Sequence, residues 1–269
     1  MRTNSSYLIG VTELQSLVKL VVASGYLKNH KPLSLILVGK VGAGKTEIIN
    51  TFSCKNAVFL SDLSSTGVFD ILNENKEITH LIIPDFTKIT MKNKQTSNNL
   101  LTTLNSGIEE GLGKIRLKNT NVDVSINGET RHIGLLTATT KKSYAQNKNK
   151  FESFGFSSRF IIASFDYSDK TTLDIFESIH KCEYLKEKFK QIPLKDKKNL
   201  AVKKKNIILS YELSKNLDNL KNNSFRTLKQ LQALACSSAL VSGRSEVTKE
   251  DIEEVKKLNK FFNLNFTKI

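Results

Sequence analysis

The chain is short of the residues that would tie it to a secreted or membrane setting. Its three cysteines, Cys54, Cys182 and Cys236, are scattered along 269 residues and form no C-x-x-C pair. That scatter argues against a disulfide framework or a cysteine-based zinc site and points to a reducing cytoplasm. No apolar run approaches about 18 residues, so no membrane span is expected. The opening MRTNSSYLIG lacks the apolar stretch of a signal peptide. Internal repeats and low-complexity tracts are absent, as are an appended zinc module and a winged helix. Arginine is scarce as well: Arg2, Arg116, Arg131, Arg159, Arg226 and Arg244 are all there are. Where lysine carries most of the charge, each fixed planar guanidinium stands out.

What is present is a soluble-type composition, 39% hydrophobic and 25% charged, long enough for one large or two modest cores. The net charge is +15. A surface so basic favours polyanions, although a lysine- and asparagine-rich coding bias would give the same count without patterning.

The first half alternates short apolar runs with helical segments. TELQSLVKLVVASGYL (12–27) has apolar residues at helical spacing. SLILV (34–38) is a continuous apolar run before glycines and predicts a buried strand. AVFL (57–60), HLII (80–83), HIGLLT (132–137) and RFIIASF (159–165) predict further strands. The alternation implies a parallel α/β sheet. From about residue 168 the segments all read as helices, and Pro193 with the lysine run 195–205 predicts a loop. Thr248 followed by Asp251 predicts a helix cap. The expected organisation is an α/β domain over 1–167 and a small all-helical domain over 168–269.

GKVGAGKT (39–46) fits G-x-x-x-x-G-K-[ST], after a strand and before a helix, which is the context this motif requires. Glycines let backbone N–H groups turn toward phosphates, and the N-terminus of the following helix favours negative charge. Lys45 is positioned to reach the β- and γ-phosphates, and the Thr46 hydroxyl to bind Mg²⁺. The expected ATP-binding set is Gly39, Val41, Gly42, Ala43, Gly44, Lys45, Thr46 and Glu47.

Beyond the loop, the order of segments resembles the AAA+ ATPases, in the branch with a β-hairpin before sensor 1, such as MoxR proteins and minichromosome maintenance helicases. The resemblance spans nearly the whole chain. Ala138-Thr139-Thr140 in LLTATT lies where that family writes A-T-N, so Thr140 takes the sensor asparagine's place; a strand running into a polar turn is the plainer reading. GFSSRF (155–160) resembles the family's S-R-F, which makes Arg159 an arginine finger for a neighbouring subunit; a surface ion pair is the alternative. SFRTLKQLQALACSSALVSGRSEVTKEDIEEV (224–255) is similar to the helical lid, and puts Arg226 in the sensor 2 position, linking lid to γ-phosphate. Its acids are expected to be cap and solvent-face residues. KIRL and VDVSI around KNTN resemble the presensor hairpin, with Lys118 at its tip and Arg116 one pleat away as candidate nucleic-acid contacts; a solvated turn is the alternative. NG at 127–128 signals a second tight turn.

The least regular feature is LIIPDFTKIT (81–90), where the family has an apolar strand followed by D-E. If the strand sets the register, Asp85 is the metal-side acid and Phe86 replaces the water-activating glutamate. If DFTKI is laid on the helicases' E-F-D-K-M, Asp85 replaces the glutamate and Pro84 the metal acid. Either way one carboxylate does the work of two, which implies slow or partner-dependent hydrolysis. Asp62 is a weak substitute. The resemblance implies a ring, most simply a hexamer, using ATP and Mg²⁺. It implies a DNA-remodelling or helicase-like motor of the kind phages and mobile elements encode, or else a MoxR-like chaperone or switch acting on a protein.

Overall fold

The computed structural model describes residues 8–116, 121–181, 190–194, 196–218 and 224–262. Its first helix, α1 (Thr12–Ala23), buries Leu14, Leu17, Val18 and Val21, a spacing of three and four that gathers the apolar side chains on one face. The chain then enters β1 (Ser34–Gly39), all six of whose residues are buried. In order there follow α2 (Lys45–Ile49), β2 (Phe52–Ser53), β3 (Ala57–Phe59), α3 (Ser65–Glu74), β4 (His80–Ile83), α4 (Thr87–Thr90), α5 (Lys94–Glu109), β5 (Lys114–Arg116), β6 (Asn121–Asp123) and β7 (Gly134–Thr140). Then come α6 (Lys141–Ser153), α7 (Phe156–Arg159), β8 (Phe160–Ser164), α8 (Asp169–His180), β9 (Lys190–Gln191), α9 (Lys204–Asp218), α10 (Ser224–Val241) and α11 (Lys249–Leu258).

Five strands form one sheet in the order β3-β4-β7-β1-β8, each pair parallel. The parallel α/β architecture expected from the alternation is therefore present. Both faces are covered, which is why β1 reads as an unbroken apolar run. Leu35 and Leu37 face a cluster containing α1 and residues of α10 and α11, such as Leu234 and Val255. Ile36 and Val38 face the other cluster, with Leu72, Leu101, Leu104 and several aromatic rings.

All five strands point the same way, so the sheet has a carboxyl edge and an amino edge. The six residues of β1, at roughly 3.3 Å each, set the edges on the order of 17–20 Å apart. That separation organises everything below.

The C-terminal third is mainly helical from Asp169 on. It is not purely helical, because β9 returns to pair in parallel with β2. It also shares its apolar cluster with α1 and one face of the sheet. In α11 the cap forms as expected: the Thr248 backbone N–H donates to Asp251 Oδ2 at 2.8 Å. Asp251 does not face solvent, however. It is fully buried, accepts from Ser238 Oγ at 2.6 Å, and pairs with Arg244.

Two buried polar groups hold the amino edge. Arg131 donates to the carbonyls of Leu72, Asn75 (3.1 Å) and Ile78 (2.7 Å), satisfying the end of α3 and the loop behind it. His80 is completely buried, with Nδ1 3.0 Å from Thr79 Oγ1 and Nε2 3.2 Å from the Leu33 carbonyl. Burial pushes its pKa down to about 4 from 6.5. Between these values the unfolded chain binds a proton that the folded chain refuses, so stability falls as pH drops. The loss is complete near pH 4 and is about 3 kcal/mol. Urea melts at pH 7 and pH 4.5 should show most of that deficit, and His80→Gln should flatten it; an equal pH slope in the variant would exclude His80 as its source.

Candidate functional site

At the carboxyl edge, β1 ends at Gly39 and the loop 40–44 turns into α2. Gly42 and Gly44 have φ of 73° and 69°, a left-handed backbone that side chains disfavour. Around Gly42 a Cβ would meet nothing within 4 Å, so the loop is open to an occupant there. Val41 is 85% exposed, and Thr46 and Glu47 are exposed on the first turn of α2. α2 has only five residues, so it supplies little of the helix dipole that the motif suggests. An anion bound here would be held by loop N–H groups and Lys45 instead.

Lys45 Nζ donates to the carbonyls of Gly39 at 3.2 Å and Lys40 at 2.5 Å. The ammonium thus lies folded over the loop. Burial lowers its pKa, and the nearby Asp85 carboxylate opposes that. The loop is propped from behind: Tyr167 Oη donates to the Ala43 carbonyl at 3.1 Å, and the Phe165 ring abuts Gly39. Asp166 gathers Lys40 at 3.9 Å and Lys141 alongside.

Asp85 follows β4 and faces this loop. Its Oδ1 accepts from the Thr87 backbone N–H at 2.9 Å and from Thr87 Oγ1 at 2.6 Å, an Asx-type turn that starts α4. Among the described residues Oδ2 has no protein hydrogen bond. Phe86 turns the other way. It is fully buried, with ring centroids 5.4 Å from Phe151 and 6.1 Å from Phe156. Thr140 is the last residue of β7, in register with Gly39, and its Oγ1 accepts from the Ser143 N–H at 3.0 Å as the cap of α6. Asp62 lies apart, paired with Lys92 at 2.7 Å. The loop, Asp85 and Thr140 therefore share one edge of one chain. Among the described residues no group of three or more His, Cys, Asp or Glu could hold a metal ion by itself. The oxygen donors at this edge, the Thr46 hydroxyl and the Asp85 carboxylate, are of the type that binds Mg²⁺ together with water and phosphate oxygens.

Arg159 and Arg226 are elsewhere. Arg159 ends α7, one residue before β8, whose first residue pairs with Ser34 at the amino edge. Its Nη1 donates to the Gly155 carbonyl at 2.8 Å. Gly155 has φ 69°, a left-handed backbone that favours glycine, and a Cβ there would lie 2.1 Å from that nitrogen, so a side chain would push the guanidinium from its place. Arg226, near the start of α10, donates from Nη1 to Ser158 Oγ at 2.5 Å. Neither arginine approaches the loop of its own chain. Arg226, expected to link the lid to a γ-phosphate, sits at the amino edge beside Ser158.

Both arginines instead meet Glu109, at the end of α5. Its Oε2 lies 3.5 Å from Arg159 Nε and 3.5 Å from Arg226 Nη2, and Oε1 lies 3.4 Å from Lys31 Nζ. Burial alone would raise the Glu109 carboxyl, but Arg226, Lys31 and Arg159 together hold it below its ordinary pKa. Glu109 carries no motif, and in the sequence it reads only as an acid at the end of a helix.

The hairpin forms as β5 and β6, antiparallel, with Arg116 opposite Asn121 and exposed. Lys118 lies outside the described residues. The second tight turn is present too, with Asn127 at φ 53° and Gly128 at φ 81°. No helix among the described residues is long and apolar enough to cross a membrane. A scan against protein-family models finds no match, and a search of curated proteins finds no similar sequence.

Proposed function

We propose that the chain is an ATP-binding ATPase of the AAA+ type whose catalytic site is completed between adjacent copies in a ring, most simply a hexamer. The observation that carries this is the division of the site. The phosphate loop, Asp85 and Thr140 occupy the carboxyl edge, and the two motif arginines occupy the amino edge of the same chain. Loop N–H groups and Lys45 hold the triphosphate. Thr46 and Asp85 would hold Mg²⁺, which would supply neutralisation of the charge that develops on the phosphates. Thr140 offers its hydroxyl proton to the γ-phosphate or the attacking water. Arg159 and Arg226 of the next copy stabilise the transition state.

The buried Phe86 supports the register in which Asp85 takes the place of the water-activating glutamate and Pro84 that of the metal acid, so the one carboxylate has to serve both water and Mg²⁺. Aspartate is one methylene shorter, and one of its oxygens is already engaged by Thr87. Turnover is therefore slow. The net charge of +15 and the exposed Arg116 support a nucleic-acid substrate met through phosphate contacts. A specific observation supports the second reading, a protein partner: Leu173, Phe176 and Ile179 form an exposed apolar stripe on α8.

Mixing inactive variants tests the shared site. Arg159→Ala and Asp85→Ala should each bind ATP and fail to turn it over. Mixed in equal amounts, they should regain about a quarter of the wild-type rate, because one interface in four then has both intact halves. No recovery on mixing would refute completion between copies. Single-stranded DNA should stimulate the wild-type rate at low salt and lose that effect as salt rises; stimulation by DNA absent at every salt concentration would favour the protein partner.

A further inference from the structure

We propose that Glu109 is a positioning residue that holds Arg159 and Arg226 together as one bidentate clamp for a neighbouring copy's triphosphate. The inference rests on the shared-site reading above and deepens it. One carboxylate oxygen lies 3.5 Å from each guanidinium, so the two cations are neighbours that would repel each other without it. Arg159 Nε is buried and has no hydrogen-bond partner, which leaves the Glu109 oxygen as its counter-charge. Arg159 is held by the Gly155 carbonyl at the start of α7, whereas Arg226 arrives on α10 and is tied down through Ser158. Glu109 therefore joins an arginine of the sheet unit to an arginine of the helical third. With Lys31 the carboxylate has three cations around it and can neutralise only one. The surplus positive charge at this edge is what a triphosphate requires.

The test uses the full chain assembled with ATP and Mg²⁺. Glu109→Gln keeps the shape and removes the charge. It should lower kcat about tenfold, because a misplaced clamp loses transition-state contacts, while KM for ATP, set by the neighbouring loop, changes less than about twofold. In an Arg226→Ala background the same substitution should cost less than about twofold, since the pair no longer exists to be held. Glu109→Asp, which keeps the charge, should retain at least about half of kcat. An unchanged or raised kcat in Glu109→Gln overturns the proposal, as does an equal cost in both backgrounds or an equal loss in Glu109→Asp. Arg159→Ala measured alongside separates the two levels. If Arg159→Ala keeps wild-type turnover, the shared site itself fails. If it loses turnover while Glu109→Gln does not, only the role of Glu109 fails.

Discussion

Lys45→Ala is expected to abolish ATP turnover, by about 10²-fold or more, and to weaken binding of a fluorescent ATP analogue into a range that is hard to saturate. The ammonium lies folded over the loop 40–44, held on the Gly39 and Lys40 carbonyls. Those carbonyls are weak substitutes for phosphate oxygens, so the amine is free to swing onto an anion. Removing it takes no apolar contact from the core, and the melting temperature should move little. Lys45→Arg should not rescue, because a planar fork cannot occupy the position of a point charge inside a tight loop. Normal analogue binding by Lys45→Ala would show that the loop does not hold a nucleotide. The same variant should supply arginines to a neighbour normally, so mixing it with Arg159→Ala should restore part of the rate.

Phe86→Ala is expected to cost about 3–5 kcal/mol, the usual penalty for removing a ring from a closed core. Phe86 is fully buried among Phe151 and Phe156, which are themselves buried and in contact with Tyr144 and Phe160. Phe86→Glu is the sharper variant. If position 86 faced the nucleotide, a glutamate would recreate the missing acid and speed hydrolysis. The structure instead places that carboxylate among aromatic rings without a partner, and the variant should unfold or fail to express soluble protein. A folded Phe86→Glu with faster turnover would overturn the placement of this segment. Asp85→Glu is the substitution that could lengthen the reach toward water, because Asp85 already faces Lys45.

The parts legible in the sequence were those with local causes. Glycines at 42 and 44 mark a left-handed loop, and the apolar run before them is a strand buried on both faces, so the strand–loop–helix unit is visible as a pattern. Thr248 and Asp251 announced a cap three residues apart, and that cap is there. Tertiary packing hid the rest. The motif gives Arg226 a γ-phosphate to meet but not its place: α10 packs on α1 and brings the start of that helix to Ser158 and Glu109 at the amino edge. Glu109 could not be picked out, because its partners come from three distant segments and no spacing rule connects them. Arg131 and His80 escaped for the same reason: each serves backbone groups that only the folded sheet brings near. Phe86 shows the converse. Its place after Asp85 suggested a substituted catalytic residue, and only the aromatic cluster shows that its side chain belongs to the core.

The opposition of the two edges also limits which assemblies can act. A two-fold contact confined to one edge would set loop against loop or arginines against arginines and leave the proposed site incomplete. A productive contact joins unlike surfaces and therefore has a direction. An open chain of copies would end in a bare loop on one side and unused arginines on the other, and only closure removes both loose ends.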